Sequence, residues 1–234
     1  MEKDKKILGI LGGMGPLATV DLFRKLTEHA DVHTDQEHPR VVIDSNTAVP
    51  NRTDALLHGG ASPVPEIVNS IRRLERIGAE VLILPCNTSH CFFDELQSAA
   101  SVPILHMIAL TRDALTARGV RRAGLLATDG TVQTGVYRRT FDGSGIELLT
   151  PEGDDQAAVM GVIYDGVKSG DLAYDTAAFR RCCEHLLARG AETLILGCTE
   201  LPLAFELYHL DYPAVDPTLE LALGALRFAG CPTK

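Results

Sequence analysis

Short apolar runs alternate along the chain with longer stretches in which apolar residues recur every three or four positions. The runs fall at residues 7–11, 41–43, 81–84, 103–105, 123–126, 146–149 and 194–196. Short continuous apolar runs bounded by turn residues read as strands buried on both faces. Helical periods between them argue for βαβ units and a mainly parallel sheet, so the expected fold class is α/β. A last amphipathic pattern at 219–228 predicts a C-terminal helix that packs back on the first half.

The pattern repeats. Gly78-Ala79-Glu80-Val81-Leu82-Ile83-Leu84-Pro85-Cys86 aligns with Gly190-Ala191-Glu192-Thr193-Leu194-Ile195-Leu196-Gly197-Cys198, with seven of nine columns identical at an offset of 112. The preceding helix keeps that offset: Ile67, Ile71 and Leu74 fall opposite Phe179, Cys183 and Leu186, one apolar helix face in each case. Gly78 and Gly190 then stand where a helix end calls for a left-handed residue. Gly9-Ile10-Leu11 and Gly124-Leu125-Leu126 each run into a turn and a helix. The expectation is two pseudo-twofold-related domains, each with a four-stranded sheet flanked by helices: residues 1–107 plus 215–234, and residues 108–214, with the active site in the cleft between them.

Composition narrows the function. The net charge is −9, the chain has no Trp, and it has no long basic run. Phosphate neutralisation and base stacking are therefore unsupported, and no nucleic-acid partner is expected. No apolar run approaches the roughly 20 residues that span a bilayer, and the charged start lacks a secretory pattern, so a cytoplasmic location is expected. The six cysteines, at 86, 91, 182, 183, 198 and 231, include no C-x-x-C pair, and no metal site is expected. Cys91, Cys182, Cys183 and Cys231 read as small core residues.

Cys86 and Cys198 differ from these. Each ends a strand of the repeat and precedes polar residues, Asn87-Thr88 and Thr199-Glu200. In open parallel sheets ligands bind beyond the carboxyl ends of the strands. Inverting a stereocentre through a planar carbanion needs a base on one face and an acid on the other. A thiol ionises at about pH 8.5, and a helix N-terminus lowers that value. Two such groups can exchange the roles of base and acid. His90, four residues after Cys86, is placed to tune that thiol but reads first as a plain helix residue. The stretches at 34–39, 58–63 and 165–170 read as loops.

On these residues the chain resembles the aspartate/glutamate racemase family, amino-acid racemases that work without pyridoxal phosphate, and is nearest its aspartate-specific members. The matching motifs are Gly9 to Pro16, Asp44 to Thr47, Arg52, Pro85 to Thr88, Thr131 to Tyr137, Lys168 and Gly197 to Glu200. The resemblance implies no cofactor, a homodimer as the common assembly, and Cys86 and Cys198 as the acid/base pair. It implies that Arg52 and Lys168 hold the side-chain carboxylate of a small acidic amino acid. Gly13, Met14, Asn46, Asn87, Thr88, Thr131, Thr199 and Glu200 complete the implied substrate site. Glutamate or broad-specificity racemases, hydantoin racemases, maleate isomerases and arylmalonate decarboxylases share the resemblance.

Two other classes compete. Gly13-Met14-Gly15-Pro16-Leu17-Ala18 fits the G-x-G-x-x-A fingerprint of a dinucleotide-binding oxidoreductase. Against it, Asp44 lies late for the acidic ribose partner, and Pro16 removes a backbone donor beside the phosphate site. A non-catalytic amino-acid sensor would need no second thiol.

Overall fold

A computed structural model describes residues 5–234, which group into two units. One is the chain up to Met107 together with Thr218–Lys234; the other is Ile108–Pro217. The first contains β1 (Leu8–Gly12), α1 (Pro16–His29), β2 (Val41–Ser45), α2 (Arg52–Leu57), α3 (Val64–Arg76), β3 (Val81–Ile83), α4 (Phe93–Ala99) and β4 (Ile104–Leu105). Helix α5 (Met107–Ala117) leads into the second. There follow β5 (Arg122–Leu126), α6 (Asp129–Gln133), α7 (Val136–Phe141), β6 (Glu147–Leu149), α8 (Asp154–Gly161), α9 (Ala177–Ala188), β7 (Thr193–Leu196), α10 (Leu201–Leu207) and β8 (Ala214–Val215). Helix α11 (Pro217–Ala229) returns the chain to the first unit.

Each unit holds one four-stranded sheet, ordered β2-β1-β3-β4 and β6-β5-β7-β8. Every ladder is parallel, which requires a crossover between neighbours, and helices supply the crossovers. The α/β class and the two sheets agree with the hydrophobic pattern. Strand β8 has only two residues and carries no apolar run long enough to announce it. Strand β2 is a sheet edge rather than a buried strand, and Ile43 stays 40% exposed.

The repeat has a physical basis. The aligned faces of α3 and α9 are fully buried, and each large apolar side chain contributes about 1.5–3 kcal/mol on leaving water. Both helices end in the same hydrogen-bonded cap. Gly78 donates to Glu75 and Ala79 to Leu74; Gly190 donates to Leu187 and Ala191 to Leu186. Both glycines are left-handed, at φ +94° and +96°. The repeated acid also does one job twice. Glu80 accepts from the Ile7 backbone N–H, and Glu192 accepts from those of Arg121 and Arg122. Each thereby anchors the start of the neighbouring central strand.

Two further expectations need correction. Residues 165–170 do not form a loop, because Val162–Lys168 continues α8 as a π-helix. A Cβ on Gly166 would lie 2.9 Å from the Tyr208 hydroxyl and 3.3 Å from the Tyr174 ring. The glycine is there for close packing, not for a turn. Cys91 is only partly buried, whereas Cys182, Cys183 and Cys231 are core residues as expected. Burial, with Asp155 nearby, pushes the Cys182 thiol up to about 12, and burial raises Cys183 as well.

Candidate active site

In each unit the candidate residues gather at the carboxyl ends of the strands. In the first, the turn after β1 is fixed by its own polar groups. The Gly13 N–H donates to Thr19 Oγ1 at 2.9 Å, and Thr19 Oγ1 donates to the Gly15 carbonyl at 3.1 Å. Gly13 has φ +91°, and a Cβ there would lie 2.4 Å from the Asn46 backbone. This close approach accounts for the glycine without a bound nucleotide. Beyond β2, the Asn46 side chain is engaged within the protein. Its Oδ1 accepts from the Ala48 N–H at 3.0 Å, and its Nδ2 donates to Ser70 Oγ at 3.1 Å and to Glu66 Oε2 at 3.3 Å.

Arg52, at the start of α2, grips three carbonyls. Nη1 donates to Pro50 at 2.9 Å and Val49 at 3.3 Å, and Nη2 donates to Met14 at 3.2 Å. Its Nε is buried with no hydrogen-bond partner among the described residues. Cys86 follows β3 and is 5% exposed. Asn87 and Thr88, also buried, open a 3₁₀ turn over Thr88–Phe92. Ser89, in the same turn, donates from Oγ to Met14 Sδ at 3.6 Å.

His90 is not the plain helix residue expected. Its Nε2 accepts from the Met107 N–H at 3.1 Å, so Nδ1 carries the proton and donates to the Cys86 carbonyl at 2.9 Å. Burial and the neighbouring His106 hold its pKa down at about 3, so the ring is neutral. It ties the cysteine segment to the start of α5. The i+4 spacing from Cys86 was the only trace of this in the sequence.

In the second unit, Thr131 is buried in α6 beside Thr128. Thr128 caps that helix by accepting from the Thr131 N–H, and the two hydroxyls lie 3.1 Å apart. Cys198 follows β7 and is 8% exposed. Its thiol donates to Glu200 Oε2 at 3.0 Å, and Thr199 Oγ1 donates to the same oxygen at 3.3 Å. Lys168, at the end of the π-helix, pairs with Glu200 Oε1. Burial, then the Glu200 charge, pushes the Cys198 thiol well above its ordinary range, so the sulfur keeps its proton. Tyr137 of α7 is buried too. Its hydroxyl is raised by burial and then by Cys198 and Asp216. Thr128, Ser89 and His90 lay outside the expected site, because none belongs to a chemical pattern visible along the chain.

Among the described residues, no group of three or more His, Cys, Asp or Glu side chains is arranged to hold a metal ion. Among them, too, no helix is long and apolar enough to cross a membrane.

Two parallel-sheet units of one topology, each ending its third strand near a buried cysteine with polar neighbours, define an α/β enzyme class with thiols at its strand ends. The chain belongs to the Asp/Glu/hydantoin racemase family, which matches residues 11–223, and is an isomerase of the racemase type. It is 26% identical over 220 residues to a broad specificity amino-acid racemase of Bacillus subtilis (strain 168), covering 92% of this chain and 95% of that one. An aspartate racemase structure from Picrophilus torridus is 35% identical, covers 98% of this chain and 96% of its own, and superposes with a TM-score of 0.85. An aspartate racemase homologue from Pyrococcus horikoshii OT3 is 27% identical, with 97% and 99% covered and a TM-score of 0.77. The family supersedes the dinucleotide-dependent oxidoreductase as a reading of the glycine turn.

Proposed function

We propose that the chain interconverts the L and D forms of a small acidic amino acid, aspartate first and glutamate as a second substrate, by two-base proton transfer at Cα without a cofactor. The observation that carries this is the pair of buried thiols, Cys86 and Cys198, following equivalent strands of two units with one topology. In this reading they address opposite faces of one α-carbon. One removes the α-proton as thiolate while the other returns a proton as thiol. Cys198 rests with its proton held on sulfur, ready to act as the acid for one enantiomer and needing to give that proton up before it can act as the base for the other.

Charge develops on the α-carboxylate as the carbanion forms, and donors aimed at it lower the barrier. Asn87, Thr88, Thr131 and Thr199 are the donors of this reading, with the Gly13–Met14 turn shaping the site beside them. Support for an acidic side chain comes from Arg52, whose Nε is a buried donor with no acceptor among the described residues. A carboxylate matches the planar fork of a guanidinium, and Lys168 adds a point charge. The reading carries with it a homodimer, to be tested by sedimentation velocity, and a cytoplasmic location.

The deciding experiment is incubation in deuterium oxide with L-Asp, D-Asp, L-Glu and D-Glu, followed by α-carbon exchange and a chiral assay. Either enantiomer of aspartate should take up deuterium and reach an equal mixture. Cys86→Ala and Cys198→Ala should each slow interconversion by at least about 10²-fold, the scale of positioned acid–base catalysis. Full activity in either variant defeats the two-thiol mechanism.

A further inference from the structure

Glu200 is the junction of the second unit's polar network. One carboxylate oxygen receives the Cys198 thiol and the Thr199 hydroxyl, and the other receives the Lys168 ammonium. The three groups come from two segments 30 residues apart along the chain, the π-helix end and the turn after β7, and Glu200 is 5% exposed. A carboxylate so enclosed is poorly available to a ligand. It is well arranged to handle the proton of the sulfur beside it. We infer that Glu200 is a positioning residue that takes up the thiol proton of Cys198, and that its ion pair with Lys168 couples recognition of the substrate's side-chain carboxylate to the protonation of that sulfur. The inference rests on the racemase reading above and deepens it.

With Lys168 against Oε1, the carboxylate is stabilised as an anion and the proton stays on Sγ. A substrate carboxylate competes for the same ammonium. Once Lys168 turns to it, Oε1 loses its cation and the carboxyl becomes the stronger base. The proton then crosses the 3.0 Å hydrogen bond from Sγ to Oε2. The pair holds one proton and one negative charge before and after, so nothing leaves the site. The thiolate is now free to accept the α-proton while Cys86 protonates the other face. On product release Lys168 returns, Glu200 gives its proton to solvent and Cys86 regains one from solvent.

Among the described residues, Tyr137 from α7 also bears on Cys198, and Asp216 before α11 acts on Tyr137. Burial keeps the Tyr137 hydroxyl protonated, so neither group supplies a cation, and Lys168 is the partner whose departure changes the balance. Lys168 also lies 5.9 Å from the Tyr164 ring centre, on its own helical turn.

The test is the pH profile of kcat for aspartate racemisation in the wild type, Glu200→Gln and Glu200→Asp, with melting temperatures measured alongside. The carboxamide keeps the shape of Glu200 but cannot take the proton. Glu200→Gln should lower kcat at pH 7 by 100-fold or more. Its activity should then climb about tenfold per pH unit as hydroxide takes over deprotonation of sulfur. The wild type should be flat between about pH 6.5 and 8, and Glu200→Asp should recover a flat profile there. A second readout follows the sulfur directly, by carbon NMR of enzyme carrying [3-¹³C]cysteine, titrated with succinate, a dicarboxylate with no stereocentre. Succinate should move the Cys198 signal toward its thiolate position in the wild type and not in Glu200→Gln. An active wild type with a parallel, uniformly lowered Glu200→Gln profile overturns the inference alone. A wild type inert toward aspartate and glutamate overturns the substrate reading and the Lys168 coupling together.

Discussion

A proton added to His90 would meet a buried ring whose two nitrogens already serve the Cys86 carbonyl and the Met107 N–H. The unfolded chain takes up that proton below about pH 6.5, whereas the folded one resists until about 3. The folded value is lowered, so the stability this residue contributes is complete above pH 6.5 and declines as pH falls toward 3. The decline is at most about 1.4 kcal/mol per pH unit. Urea titrations of the wild type and His90→Gln should show a stability gap at pH 7 that narrows at pH 5; a constant gap would contradict this account. At the same scale, the positions of Cys86 and Cys198 after equivalent strands were legible in the sequence, because a repeat singled these two out from four other cysteines. His90 and Thr128 were not, since their partners are backbone groups that no side-chain pattern advertises. The environment of Glu200 was hidden as well, because Lys168 reaches it across 32 positions of sequence.

Helices α3 and α9 were readable with their faces and their ends, because apolar spacing and a terminal glycine reinforce each other. Their caps also permit a comparison. A Cβ at Gly78 would come no nearer than 3.8 Å to Ile7, so Gly78→Ala adds only the left-handed backbone strain, about 1–2 kcal/mol. At Gly190 the added carbon would lie 2.6 Å from Arg122 Nη1 and displace that side chain from its ion pair with Glu147. Chemical denaturation should therefore rank Gly190→Ala as the more damaging by a few tenths of a kcal/mol, the scale of an exposed ion pair. The π-helix escaped the sequence reading because Asp165, Gly166, Lys168 and Ser169 have the composition of a turn. Tertiary packing against Tyr174 and Tyr208 overrides that local preference. Strand β8 escaped because Pro213-Ala214-Val215 lacks the pair of large apolar residues that marks the equally short β4, Ile104-Leu105.

At the level of the whole molecule, the repeat made two sheets legible from the amino-acid sequence alone. The path of the chain through its two units is not repeated. Thr218–Lys234 belongs with the first unit, and α11 buries Leu221, Ala222, Ala225 and Leu226 completely. The segment is also laced to its surroundings, with the Lys6 N–H donating to the Ala229 carbonyl and the Asp31 N–H to that of Pro232. Leu226→Ala should lower stability by about 2–5 kcal/mol, measured by thermal or urea unfolding. A loss well under 1 kcal/mol would show that the helix is not part of that core.

The same connectivity sets an order of events at the ribosome. Domains tend to fold as units in the order they emerge, N-terminal first. Here the half that emerges first still lacks a core helix when the half that emerges second is already complete. Nascent chains ending at Pro217 and tethered to the ribosome by an added linker long enough to fill the exit tunnel should therefore resist protease over 108–217 while the earlier half is still cut, reversing the usual sequence of maturation.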